Sequence, residues 1–147
     1  MEPIPFSEIV GEFLRLVPKG SEVLRELPDE VRSEFEQWST GVDLYDFLSR
    51  AFMRPVLLPE LFADHPDDEL LKGSFAFIEG LALSEDEYVQ GALNFEVYDQ
   101  FLRGKRILGR ADSLLRPVAR EGLNSLLANT YGVWGGVDEA LATFNWD

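Results

Sequence analysis

The chain has 147 residues and carries 27 Asp and Glu against 13 Lys and Arg, for a formal net charge of −14. Such a surplus of acids speaks against nucleic acid or an anionic membrane as partner of the general surface, because both are gripped through positive potential. Without a single cysteine, disulfide staples, thiolate nucleophiles and cysteine-held metal centres are excluded as well.

Hydrophobic residues make up 46% of the sequence, with eleven Phe, three Trp and four Tyr, too many for a disordered chain. A chain of this size buries about 70% of its unfolded surface in one core, so residues 1–147 are expected to form one acidic domain. The first twenty residues, MEPIPFSEIVGEFLRLVPKG, do not show a basic segment followed by an unbroken apolar run, and no stretch reaches the length of a membrane span. The expectation is a cytoplasmic protein. Its charge is uneven: residues 1–99 hold 22 acids and 7 bases, whereas residues 103–120 hold six bases and only Asp112.

Strand-like alternation is scarce and apolar residues recur at helical spacing, which predicts an all-α fold: a compact bundle of antiparallel helical hairpins with about six to eight helices. A first helix is expected over 6–17, with Phe6, Ile9, Val10, Phe13, Leu14 and Val17 on one face and Pro18 and Gly20 ending it. Short helices follow over 22–27 and 28–38. The next, within 40–55, turns Leu44, Phe47, Leu48 and Phe52 inward and should stop before Pro55. A proline-punctuated connector then carries His65, the chain's one histidine, as a surface turn residue. Asp67 or Asp68 opens a strongly amphipathic helix with Leu70, Leu71, Phe75, Ile78, Leu81 and Ala82 in one stripe.

The following stretch, SEDEYVQGALNFEVYDQFLRGKR over 84–106, begins with acids and ends with bases, as a helix dipole favours. Ser84 and Glu87 have the spacing of a capping box. Further in, Glu96 and Asp99 fall on the arc that also holds Tyr88, Val89, Ala92 and Phe95. An ionised carboxylate on that side needs a donor, and Arg103, four residues past Asp99, is the expected partner. The sharper reading makes Glu96 and Asp99 a recessed catalytic pair. One more helix is expected to about residue 116, another over 117–131, and a short last one in VDEALATFNWD. The acids at 67–69 should neutralise Arg103, Lys105 and Arg106.

Catalytic patterns are wanting: no G-x-S-x-G elbow or phosphate-binding glycine loop occurs, and a carboxylate-bridged di-metal bundle needs Glu-x-x-His motifs that one histidine does not supply. No cofactor or metal is expected. The segment FAFIEGLALSEDEYVQGALNFEVYDQFL, through Phe77, Ile78, Glu79, Asp86, Glu87, Tyr88, Val89, Ala92 and Asp99, resembles small bacterial helical proteins of the polymorphic-toxin immunity type, with a HEAT-like helical hairpin. The resemblance covers under a fifth of the chain. It implies a non-enzymatic acidic domain that binds a basic protein, possessing no catalytic residues, and neutralises a toxin or other effector by occlusion. Candidate contact residues are Glu85, Asp86, Glu87, Glu96, Asp99 and Trp134. The alternatives are an enzyme using Glu96 and Asp99 in a pocket, or a helical scaffold protein.

Overall fold

The computed structural model describes residues 1–38 and 43–146; the part of the predicted 40–55 helix before Asp43, and the terminal Asp147 of the predicted last helix, lie outside them. The fold is all-helical, with nine helical rods among the described residues, one more than the upper expectation. After a single 3-10 turn at Phe6–Glu8 come α1 (Ile9–Leu16), α2 (Gly20–Glu26) and α3 (Asp29–Glu36). Pro28, extended at φ −53° and ψ 144°, keeps α2 and α3 apart.

The next rod does not stop before Pro55. It begins as α4 (Leu44–Phe47), continues as a π-helix over Leu48–Leu57 with Pro55 inside, and ends as α5 (Leu58–Phe62). Proline lacks an N–H, and its ring collides with the carbonyl four residues back in α-helical register. Bonding five residues back, as Leu58 N–H does to Met53 O, widens the turn and lets the rod run past the proline.

Asp67 then caps α6 (Asp68–Ala82), its Oδ1 accepting from Leu70 N–H at 3.1 Å. From Ser74 to Ala82 every residue of α6 is buried, so the expected single stripe widens into a helix enclosed on all sides. Around it lies one core of interlocking rings: Phe52 meets Phe77 edge-on at 5.2 Å, Phe13 meets Phe47 at 5.3 Å, and Phe35 meets Phe47 at 5.0 Å. The backbones of α1 and α6 touch, since a Cβ on Gly73 would overlap Leu16 O.

The predicted 84–106 helix divides into α7 (Glu87–Leu93), a π turn over Asn94–Tyr98 and a 3-10 end over Asp99–Arg103. Gly104, extended at φ −165°, breaks it between Arg103 and Lys105, and α8 (Lys105–Leu114) starts anew. Last come α9 (Pro117–Tyr131), terminated by Gly132 in the left-handed region at φ 68°, and α10 (Gly136–Thr143). No helix among the described residues is long and apolar enough to cross a membrane.

Candidate functional site

The start of α7 sets the geometry of the most distinctive surface. The expected capping box does not form: Asp86 is the cap, its Oδ1 accepting from Tyr88 N–H at 2.8 Å, while Ser84 Oγ accepts from Asp86 N–H at 3.1 Å. Starting the helix two residues late leaves Glu87 at its first position with no backward bond to make. Glu85, Asp86 and Glu87 are all exposed.

Beside these acids, Tyr88 remains 42% exposed although its hydroxyl accepts from the Leu44 N–H at 3.0 Å, tying α7 to the beginning of α4. The Tyr45 ring of α4 lies 5.6 Å from Tyr88 and 6.1 Å from Phe95, which is 64% exposed. Gly91 permits this: a Cβ there would stand 2.6 Å from the Tyr45 hydroxyl. At the other end Tyr88 faces Phe6 at 6.2 Å, and Phe6 packs on Trp38 at 5.3 Å, whose Nε1 donates to Phe6 O. Trp38, Phe6, Tyr88, Tyr45 and Phe95 thus make a continuous aromatic strip whose far end emerges into solvent.

Phe95 was expected inward. The π turn beginning at Asn94 holds more residues per turn than an α-helix, so positions after Leu93 lag behind the α-helical wheel, and Phe95 swings out while Glu96 stops half-buried. Partial burial pushes the Glu96 carboxyl above the ordinary carboxylate range; Arg54 draws it back, Asp43 and Asp46 raise it again, and Arg103 opposes them. Acids and bases thus meet beside the strip, where Arg50 also pairs with Asp46 at 3.7 Å. Asp43 itself caps α4 by accepting from Asp46 N–H at 3.2 Å.

Glu96 and Asp99 do not form a pair, and Arg103 does not bridge them. Glu96 lines a polar cavity of about 270 Å³ with Arg54, Ser49 and Gln100, whereas Asp99 lines a separate one of about 590 Å³ with Tyr131, Phe144 and Trp146. Arg103 borders both and donates to Gln100 Oε1 instead. Asp99 accepts from the Tyr131 hydroxyl, which pushes the phenol up to about 12, with burial and the Asp99 charge adding to the effect. Trp134 stands on the connection between α9 and α10, 77% exposed.

The basic stretch is partly consumed internally, though not by the acids at 67–69. Arg106 pairs with Asp64 at 2.9 Å, Arg110 donates to the carbonyls of Leu61 and Ala63 at the end of α5, and Arg120 lies 3.5 Å from Asp112. Sequence reasoning also missed the buried acid Glu79, 6% exposed: its Oε1 accepts from Ala119 N–H at 2.8 Å and its Oε2 from Val118 N–H at 3.2 Å. Glu79 caps α9 from another helix, and the signal for it was an acid inside the apolar run FAFIEGLAL. Among the described residues no group of three or more His, Asp or Glu is disposed to hold a metal ion. Compared with models of known families, with curated proteins and with solved structures, the chain matches none.

Proposed function

We propose that the protein is a non-enzymatic acidic binding domain that captures a basic protein through the exposed end of the Tyr88–Tyr45–Phe95 strip, in the manner of an immunity protein occluding a toxin or similar effector. The observation that carries this reading is the placement of two solvent-exposed rings among Asp43, Asp46, Glu85, Asp86, Glu87 and Glu96. Large rings on a surface supply most of the energy of a protein contact, and guanidinium and ammonium groups are attracted both to ring faces and to carboxylates. Trp134 is an exposed ring of the same kind on the α9–α10 connection and serves as the comparison site.

The rival reading, a carboxylate pair running acid–base chemistry, needs Glu96 and Asp99 in one cavity, and they line two. Co-purification with the proteins encoded beside it, followed by native mass spectrometry, tests the proposal: a stoichiometric complex with a basic protein is expected. Absence of any partner, together with hydrolytic turnover that disappears in Glu96→Gln, would reject it.

A further inference from the structure

A groove of about 550 Å³ runs along the junction of α1 and α6. Its floor is aliphatic, made by the accessible Leu16, Pro18 and Leu70 with Ala76 almost buried beneath them, beside the backbone contact of Gly73 with Leu16. No aromatic ring is among its lining residues, in a chain with eighteen of them (eleven Phe, three Trp and four Tyr).

Four of the 13 bases of the chain, Arg15, Lys19, Lys72 and Arg116, border this one groove. Two acids, Asp67 and Glu69, oppose them, and Glu12 pairs with Arg15, leaving a local excess of one positive charge on a molecule of net −14. Asp67 is engaged in capping α6 and Arg15 in its pair with Glu12 at 2.6 Å. Lys19, Lys72 and Arg116 have no carboxylate within ion-pair distance among the described residues, although acids outnumber bases two to one.

We infer that this groove binds a single-chain aliphatic carboxylate, its hydrocarbon along Leu16, Pro18 and Leu70 and its head group at Lys19, Lys72 and Arg116. Each CH₂ moved out of water contributes up to about 0.8 kcal/mol, so chain length should govern affinity. The missing rings disfavour a nucleobase or other planar ligand, which binds by stacking. The surrounding negative charge disfavours an anionic bilayer, so a free monomeric amphiphile is the occupant. The inference stands apart from the proposed binding of a basic protein, which uses α4 and α7.

The test is calorimetric titration of the full chain with dodecanoate below its micelle concentration, alongside dodecanol, acetate and phosphatidylserine vesicles. Saturable one-to-one binding of dodecanoate is expected, at least tenfold tighter than dodecanol and at least a hundredfold tighter than acetate. Lys72→Glu, at an exposed position, should weaken it tenfold or more, and Ala76→Phe should abolish it by filling the floor. If Ala76→Phe fails to fold, Lys19→Glu replaces it, with a tenfold loss expected. No saturable binding, equal affinity for dodecanol, indifference to Lys72→Glu, or binding to the vesicles in preference to the monomer would each overturn the inference.

Discussion

Glu79 and Tyr98 show how single residues bind this helical assembly together. The first helical N–H groups of α9 have no partner within their own helix, and no side chain of its own N-terminus caps them, so the Glu79 carboxylate supplies the acceptors and a charge suited to the helix dipole. Removing it leaves buried donors unmatched, and Glu79→Ala should cost about 2–3 kcal/mol in urea denaturation. Tyr98 has the opposite problem: its buried hydroxyl has no hydrogen-bond partner among the described residues, and burial together with the nearby Glu79 charge keeps the phenol well above its usual range. That hydroxyl presses on α9 where a Cβ at Gly122 would come within 2.6 Å. Gly122→Ala should therefore destabilise by about 1–3 kcal/mol through overpacking. In a Tyr98→Leu background the cost should shrink, because the hydroxyl and the Cε2 and Cζ atoms, all of which would crowd that Cβ, are gone; a double-mutant cycle in urea reads the coupling, and additive losses would refute the contact. Glu96 adds a pH signature. Its folded carboxyl titrates above the unfolded value, so the native state holds the extra proton and stability falls as pH rises through the folded value. Glu96→Gln should be more stable than the parent at neutral pH and indistinguishable from it once both carboxyls are protonated in acid, as thermal melts across pH will show.

At the scale of elements, what was legible in the sequence was local. Asp67 reads as a cap because its carboxylate reaches an N–H three residues on, and α9 reads correctly from Pro117 to Tyr131 because proline suits the first turn and Gly132 takes the left-handed conformation that ends it. Neither π segment was legible. A wheel drawn at a constant angle places Phe95 inside and Glu96 beside Asp99, and both placements fail once the turn widens at Asn94. Pro55 marked the other π segment, yet a proline within a helical pattern signals an end far more often than a wide turn. The aromatic strip was invisible for a further reason: it is assembled from Tyr45 on α4 and Tyr88 and Phe95 on the α7 rod, residues that meet only through tertiary packing. Close approach of elements is testable at Gly73. Gly73→Ala must push α6 off the Leu16 carbonyl, and a loss at the upper end of about 1–3 kcal/mol is expected from the shift of its denaturation midpoint.

Across the whole molecule, charge is sorted rather than mixed. Arg106 and Arg110 on α8 are turned to carbonyls and to Asp64, other bases border the α1–α6 groove, and Glu85, Asp86 and Glu87 stand exposed beside Tyr88. For a basic partner this arrangement predicts steered association, with an on-rate that falls steeply between about 10 and 150 mM salt as the Debye length shrinks from about 30 to 8 Å, while the off-rate changes little. Stopped-flow mixing at those two salt concentrations reads both rates. The decisive measurement is the affinity of the isolated partner for the wild-type chain and for Phe95→Ala, Glu87→Lys and Trp134→Ala. Losses of tenfold or more for Phe95→Ala and Glu87→Lys, with Trp134→Ala unchanged, are what the aromatic and acidic strip predicts; unaltered binding by Phe95→Ala and Glu87→Lys would contradict it.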